Sequence, residues 1–407
     1  MKTRQEWLEL LMHKPIYSSH EHHREQEYQQ QLDLELLLTW SYVGWCGSPP
    51  EPRTEARREW LDRIRYNTYF VWLEKAICSI YGFDSLNEDN WDAVSEAIRS
   101  RHRSSPHWHL DMMKQYGGYI GFLEDCYWDT GSSVGYPEFI TPVYRLDLWM
   151  QGYHPESLTN EGTSPHSIYG VIDSFDAYVA RMEEEIRTRR PGIAGLKCAS
   201  AYQRTIGFRP VSREEAAAVY GRRPGELTTE EKNAFGDYML QHALTLAEEL
   251  RLPVQIHTGL AMLSGSNPML LEPLIASHPN NTFVLFHGGF PWIYETAALA
   301  HNYPNVVIDI NWLPLISTSA AADALHVYLD VLRDSGHIAW GGDTWTGEEA
   351  VGASLAFRHL LARVLAEKCE RDGWTDRHAE RLADKIMYEN AMRLYGIRRT
   401  GTAPEVS

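Results

Sequence analysis

The sequence lacks any long apolar run. No segment approaches the roughly 18 consecutive apolar residues that a membrane span needs, and the opening MKTRQEWLELLMHKP breaks a short apolar patch with charges and shows no small-residue cleavage site, so no signal peptide is expected. Basic residues are in deficit: 38 Lys plus Arg stand against 55 Asp plus Glu, a formal charge of −17. That balance disfavours nucleic acid and anionic membranes as partners, since both call for basic patches. Cysteine is scarce. Cys46, Cys78, Cys126, Cys198 and Cys369 are odd in number and form no CxxC, which fits reduced thiols in the cytoplasm better than a disulfide framework. Internal repeats and low-complexity tracts are absent too.

What remains is a globular composition, 407 residues with 43% hydrophobic and 23% charged. The length suits two or three ordinary domains, or one α/β barrel with insertions. From about residue 116, β-rich runs alternate with longer amphipathic stretches: 119–127 (YIGFLEDCY), 140–148 (ITPVYRLDL), 193–198 (IAGLKC), 253–257 (PVQIH), 282–287 (TFVLFH), 306–310 (VVIDI) and 337–340 (HIAW). An earlier run lies at 16–20 (IYSSH). Eight strands alternating with helices predict an α/β fold, a (β/α)8 TIM barrel, with an open doubly wound sheet as the alternative. The helical stretch between the first two strands reads as an insertion. The expected layout is therefore a barrel over 1–23 and 116–397, a helical insertion at 24–115 serving as lid or oligomer surface, and a loose polar tail at 398–407. Trp40, Trp45, Trp60, Tyr66, Tyr69 and Trp72 make the insertion too aromatic for a fully solvated surface. They imply burial against the barrel or a homodimer contact.

Polar residues recur at the C-terminal ends of these strands. The first ends in SSHEHHR, and residues two apart on a strand share a face, so His20 and His22 can offer two imidazoles to one metal while Glu21 and His23 point away. The fifth strand ends at His257, the sixth at His287, and the eighth is followed by Asp343 in GGDTW. In a closed barrel these ends converge on one mouth. Three or four nitrogens and a carboxylate make a suitable set for Zn²⁺, with Mn²⁺ or Fe²⁺ as alternatives, and leave an open position. Arg145 ends the third strand, Arg204 follows the fourth, and an arginine fork matches a carboxylate. Trp292, Trp312 and Trp345 sit at loop bases where they can wall a pocket, as can Asp125 and Trp128.

The order HxH, His, His, Asp after strands one, five, six and eight resembles the amidohydrolase superfamily, in its amidohydrolase-2 branch. GLKCASAYQRTIGF, LPVQIHTGL, NPMLLEPLIASHPNNTFVLFHGGFPW, YPNVVIDINWLP and ENAMRLYGI are similar to the barrel domain that some fungal and plant proteins carry fused to a glutamine-synthetase-like half. The resemblance implies that His20, His22, His257 and Asp343 bind one divalent metal, zinc foremost, with Asp343 also moving protons. It implies that His287 is a further ligand or a catalytic group contacting substrate. Lys197, at the end of the fourth strand, has three readings: a carboxylated bridge to a second metal, a substrate-binding cation, or a salt-bridged structural lysine. Lys197, Arg145, Arg204, Trp292 and Trp345 form the candidate substrate-binding set.

The function expected from this is a metal-dependent hydrolase that cleaves an amide or related C–N bond of a small carboxylated, anionic substrate through an activated water. The first alternative is a decarboxylase, other lyase or isomerase of the same branch acting on a small organic acid. The second is a barrel scaffold without catalysis.

Overall fold

The computed structural model describes residues 1–398. Its frame is eight parallel strands: β1 (Ile16–Glu21), β2 (Tyr119–Glu124), β3 (Ile140–Pro142, resumed at Tyr144–Arg145), β4 (Leu196–Cys198), β5 (Val254–Ile256), β6 (Phe283–Leu285), β7 (Val306–Asp309) and β8 (Ile338–Ala339). Each pairs with the next in chain order. Val143 bridges the two halves of β3: its N–H bonds the Glu124 carbonyl of β2 at 2.8 Å, and Tyr144 then pairs with Leu196 of β4. The ring closes where Ser19 N–H donates to the Trp340 carbonyl just beyond β8, at 3.0 Å. An open sheet would leave two edges, so this closure decides for the barrel.

All eight runs expected from the sequence are strands. The third ends earlier than its pattern suggests, because the chain turns at Leu146 into a short helix, Asp147–Gln151. Alternation along the strands sends Tyr17, Leu123, Val143, Val284, Phe286 and Val307 inward, where Ala391 and Tyr395 of the C-terminal segment plug the barrel from below. The Tyr395 hydroxyl accepts from Gln255 Nε2 at 2.9 Å, tying that plug to β5.

Between β1 and β2 the chain forms a run of helices that includes Leu34–Trp40, Thr54–Ile64, Thr68–Tyr81 and Trp91–Ser104. Local signals define them. Asn67 caps the start of Thr68–Tyr81 by accepting from Tyr69 N–H, and Gly82 ends it in the left-handed conformation. The run has its own core of Leu37, Trp60, Leu61, Phe70, Ile77 and Trp91. Helix Thr68–Tyr81 also lies along Gly347–Asp372, the long helix after β8. Tyr81 Oη and His102 Nε2 both reach Glu348 Oε1 there, at 2.6 and 2.8 Å. Trp60 and Trp72 are buried, while Tyr66 and Trp45 are 90% and 62% exposed. All five cysteines are free. Among the described residues no helix is long and apolar enough to cross a membrane. Of the polar tail expected at 398–407, residues 399–407 lie outside the described part.

Candidate metal centre at the barrel mouth

The strand ends bring His20, His22 and Asp343 together, with one candidate donor atom from each inside a 4.8 Å cluster. His22 Nε2 is 3.1 Å from Asp343 Oδ1, and His20 Nε2 is 3.8 Å from the same oxygen and 3.9 Å from Asp125 Oδ2. His287 Nδ1 stands 3.5 Å from the other Asp343 oxygen. His257 lies outside the tight group and reaches it through His287, its Nδ1 being 3.0 Å from His287 Nε2. All five side chains are buried.

Glu21, which the alternation argument set aside as pointing away, builds this arrangement from behind. Its carboxylate accepts from Ser18 Oγ, Tyr119 Oη, Gly342 N–H, Thr344 N–H and Thr344 Oγ1, at 2.6 to 3.3 Å. Those bonds draw the loop after β8 onto β1 and hold Asp343 in the left-handed region at φ 61°, an uncommon state for a residue with a Cβ. The two glycines before Asp343 are required by closeness. A Cβ on Gly341 would lie 2.7 Å from His20 N, and one on Gly342 would lie 2.5 Å from the Glu21 carboxylate.

The donor set of the cluster fits a metal. A carbonyl can only accept, so His22 Nδ1, 2.8 Å from the Asp125 carbonyl, must donate to it. His22 Nε2 then faces Asp343 Oδ1 at 3.1 Å, a pairing that either a proton on Nε2 or a metal ion between the two atoms satisfies. Carbonyl-anchored imidazoles of this kind are the usual arrangement around bound zinc. His20 Nδ1 is buried without a hydrogen-bond partner among the described residues. Burial, with Lys197 next, pushes His20 well below the ordinary imidazole range. Burial, with His287 next, does the same to His257, and burial takes His287 down to about 4 against the pull of Asp343. These three imidazoles are neutral at physiological pH, the form that ligates metals. For Asp343 burial acts upward, but the hydrogen bond and charge of His22 outweigh it and keep the carboxyl below its usual range.

Lys197 is buried, with Nζ 3.4 Å from the centre of the Phe286 ring and no hydrogen bond to any described residue. Burial brings its pKa down to about 8, against the attraction of Asp125 and Asp343. Arg145 is already engaged by Asp125, through Nε at 3.1 Å and through Nη2. Arg204 requires a correction. Its Nε bonds the Thr205 carbonyl, its Nη1 the Asn233 carbonyl and its Nη2 the Asp237 carboxylate, so it clamps its own loop to helix Thr229–Leu250 instead of reaching the cluster. Trp292 is half-buried at the start of helix Ile293–Asn302, where its carbonyl accepts from Thr296 N–H, and it makes no ring contact with the histidines among the described residues. Trp345 does reach the site, stacked on His22 at 5.4 Å and 22°, and Trp312 meets His287 edge-on at 5.1 Å.

Sequence reasoning missed Tyr42. Carried by the helical insertion, it stacks on Trp312 at 4.7 Å and 17° and meets Trp345 edge-on at 4.9 Å. Its N–H is held by Glu349 Oε1 at 2.7 Å. Tyr202, whose ring lies 4.4 Å from that of His257, was also missed. Tyr42 stands in no local motif, while Tyr202 lies within GLKCASAYQRTIGF, a run whose pattern does not reveal that this ring folds against His257.

A closed eight-stranded barrel with a buried His/His/Asp cluster at the C-terminal mouth defines a (β/α)8 fold with a candidate metal site where such barrels place their active sites. More narrowly, the chain belongs to the amidohydrolase family, whose family model, described as "Amidohydrolase" and labelled Amidohydro_2, matches residues 164–397. Protein fluG of Emericella nidulans is 27% identical over 223 residues, a match spanning 50% of this chain and 26% of that protein. Among solved structures, uronate isomerase of Thermotoga maritima superposes with a TM-score of 0.72 at 14% identity, over 96% of this chain and 97% of that one. A protein of Lactobacillus casei, described as a proposed metal-dependent hydrolase, gives 0.71 at 16% identity, over 95% and 96%.

Proposed function

We propose that this protein hydrolyses an amide or related C–N bond in a small carboxylated molecule, with one divalent metal, zinc foremost, held by His20, His22 and Asp343 and completed by His257. The observation that carries this reading is the convergence of His20, His22 and Asp343, with His22 Nε2 3.1 Å from Asp343 Oδ1 while His22 Nδ1 is committed to a carbonyl.

A divalent ion bound there supplies a lowered pKa for an attacking water and charge stabilisation for the carbonyl oxygen. The chain does the rest. Asp343, ionised and fixed by the loop that Glu21 holds, takes the proton the water gives up and passes it to the departing nitrogen, so the acyl carbon gains oxygen as the C–N bond breaks. His287, in contact with Asp343, orients that carboxylate and is the second group placed to hold a proton. Lys197, a buried ammonium without a hydrogen-bond acceptor, binds the substrate carboxylate. Tyr42, Trp312 and Trp345 exclude water and wall the pocket. The five free cysteines support a reducing, cytoplasmic setting.

The test couples elemental analysis with product analysis. About one equivalent of metal is expected in the purified protein, lost in His22→Ala and in Asp343→Ala, together with amine release from amides of small carboxylic acids. No bound metal after supplementation would overturn the reading. Carbon dioxide release or isomerisation of organic acids without C–N cleavage would replace it with the lyase or isomerase alternative. A second equivalent that Lys197→Ala removes would make Lys197 a bridge and not a substrate cation.

A further inference from the structure

Beside the histidine cluster lies a cavity of about 200 Å³. It is smaller than the roughly 300 Å³ at which whole-ligand sites begin, which suits it to one end of a molecule. Tyr127 forms the shared wall: it lines the cavity, and its ring stands edge-on to His22 at 5.4 Å. Arg145 lines it as well and connects to the cluster through Asp125.

The charges on its wall are unbalanced. Three carboxylates, Asp129, Asp147 and Glu161, face two guanidiniums, Arg145 and Arg189. Both guanidiniums are held by acids outside the cavity, Arg145 by Asp125 and Arg189 by Glu185, and Arg145 has a longer contact, 3.8 Å, with Glu161 on the wall itself, so five carboxylates stand around two guanidiniums. Arg24, above the Trp128 ring, is offset by Glu25, which accepts from that indole. Asp147 is the decisive group. It is only 6% exposed, its Oδ2 accepts from Ala199 N–H at 2.9 Å, and its Oδ1 makes no hydrogen bond to any described residue. A carboxylate oxygen of a largely buried side chain, turned to a cavity and without a donor from the protein, is placed to accept one from a ligand. The aromatic faces of Tyr127 and Trp128 favour a cation in the same place.

We propose that this cavity is the substrate's second anchor and that it takes a protonated amine. This rests on the reading of the neighbouring cluster as the reaction centre. With Lys197 taking a carboxylate, the substrate class narrows to small zwitterions: amides that carry a free ammonium as well as a carboxylate. The anionic substrate expected from the basic residues becomes one with both charges.

The test is calorimetric binding of matched pairs, ω-amino acids against alkanoates of equal chain length. It uses the purified full-length protein and its His22→Ala, Glu161→Gln and Asp147→Asn variants. The amino member should bind at least about tenfold tighter, as a charge-assisted hydrogen bond in a partly desolvated site provides. That preference should persist in His22→Ala and fall by about tenfold in Glu161→Gln or Asp147→Asn. Equal binding of the pair, tighter binding of the alkanoate, no binding of either, or a preference unchanged in both carboxylate variants would overturn the proposal. Failure of metal binding or amide hydrolysis with the preference intact would sink the hydrolase reading alone.

Discussion

Replacing Lys197 with methionine should make the protein more stable while removing its activity. The lysine's ammonium is buried over Phe286 without a hydrogen bond, and its pKa falls from 10.5 to about 8. A shift of about 2.5 units corresponds to about 3 kcal/mol against the charged form. The sign follows from proton binding. The folded state holds this proton less tightly than the unfolded chain, so stability rises with pH between about 8 and 10.5, and below 8 the full penalty is present. Methionine fills a similar volume without charge, so Lys197→Met should gain about 2–3 kcal/mol at pH 7, less whatever the cation–π contact contributes. The assay is urea unfolding of chelator-treated wild type and variant at pH 7 and again near pH 10. Other lysines, tyrosines and cysteines titrate in both proteins and cancel in the difference. The stabilisation should shrink by most of its value at the higher pH. A variant equally destabilised at both pH values would refute the reasoning and show that Asp125 and Asp343 already compensate the ammonium.

Substitutions at three further residues separate the roles assigned above. Glu21→Gln turns an acceptor of five hydrogen bonds into a group with its own donors. It should cost about 2–3 kcal/mol in denaturant unfolding and weaken metal affinity by about 10- to 100-fold in chelator competition, although Glu21 is not among the ligands; unchanged affinity would remove it from the positioning role. Tyr42→Ala opens the wall formed with Trp312 and Trp345 and should lower kcat/KM by about tenfold or more with metal content unchanged, while Tyr42→Phe keeps most of the activity. Equal losses in both variants would mean that the hydroxyl matters more than the stack. Arg204→Met should lower stability by about 2–4 kcal/mol by stranding the buried Asp237, leaving KM and metal content as in wild type; a raised KM would return Arg204 to the substrate.

The barrel and the meeting of His20, His22 and Asp343 at its mouth were legible in the sequence because both rest on local periodicity. Alternation within IYSSH, PVQIH and TFVLFH reports strands, and a polar residue where the alternation stops reports the mouth. What local patterns cannot carry is the partner of a charge. Arg145 and Arg204 stand where substrate-binding arginines would, and only the fold reveals Asp125 beside one and Asp237 beside the other. Glu21 was set aside by the same alternation that singled out His20 and His22. The alternation is correct, but facing away from the mouth at the end of β1 means facing the loop after β8, where Glu21 fixes Asp343. Tyr42 had no legible role because it belongs to the insertion, whose aromatic residues read alike until packing separates buried Trp60 from exposed Tyr66.

The Glu21 contact also has a meaning for how the chain comes together. Glu21 and Thr344 are 323 positions apart, and the seam they join is where the barrel's first and last strands meet. The histidine and aspartate donors lie on opposite sides of that seam, so the centre does not exist until nearly the whole chain has folded. Joining such distant segments is the slow step in a topology of this kind. An ion that binds only the closed ring adds its binding free energy to closure, and the seam becomes the place where metal removal should first admit solvent. The cluster at the mouth thus doubles as a clasp: the side chains proposed to hold the metal come together only when the two ends of the barrel have found each other.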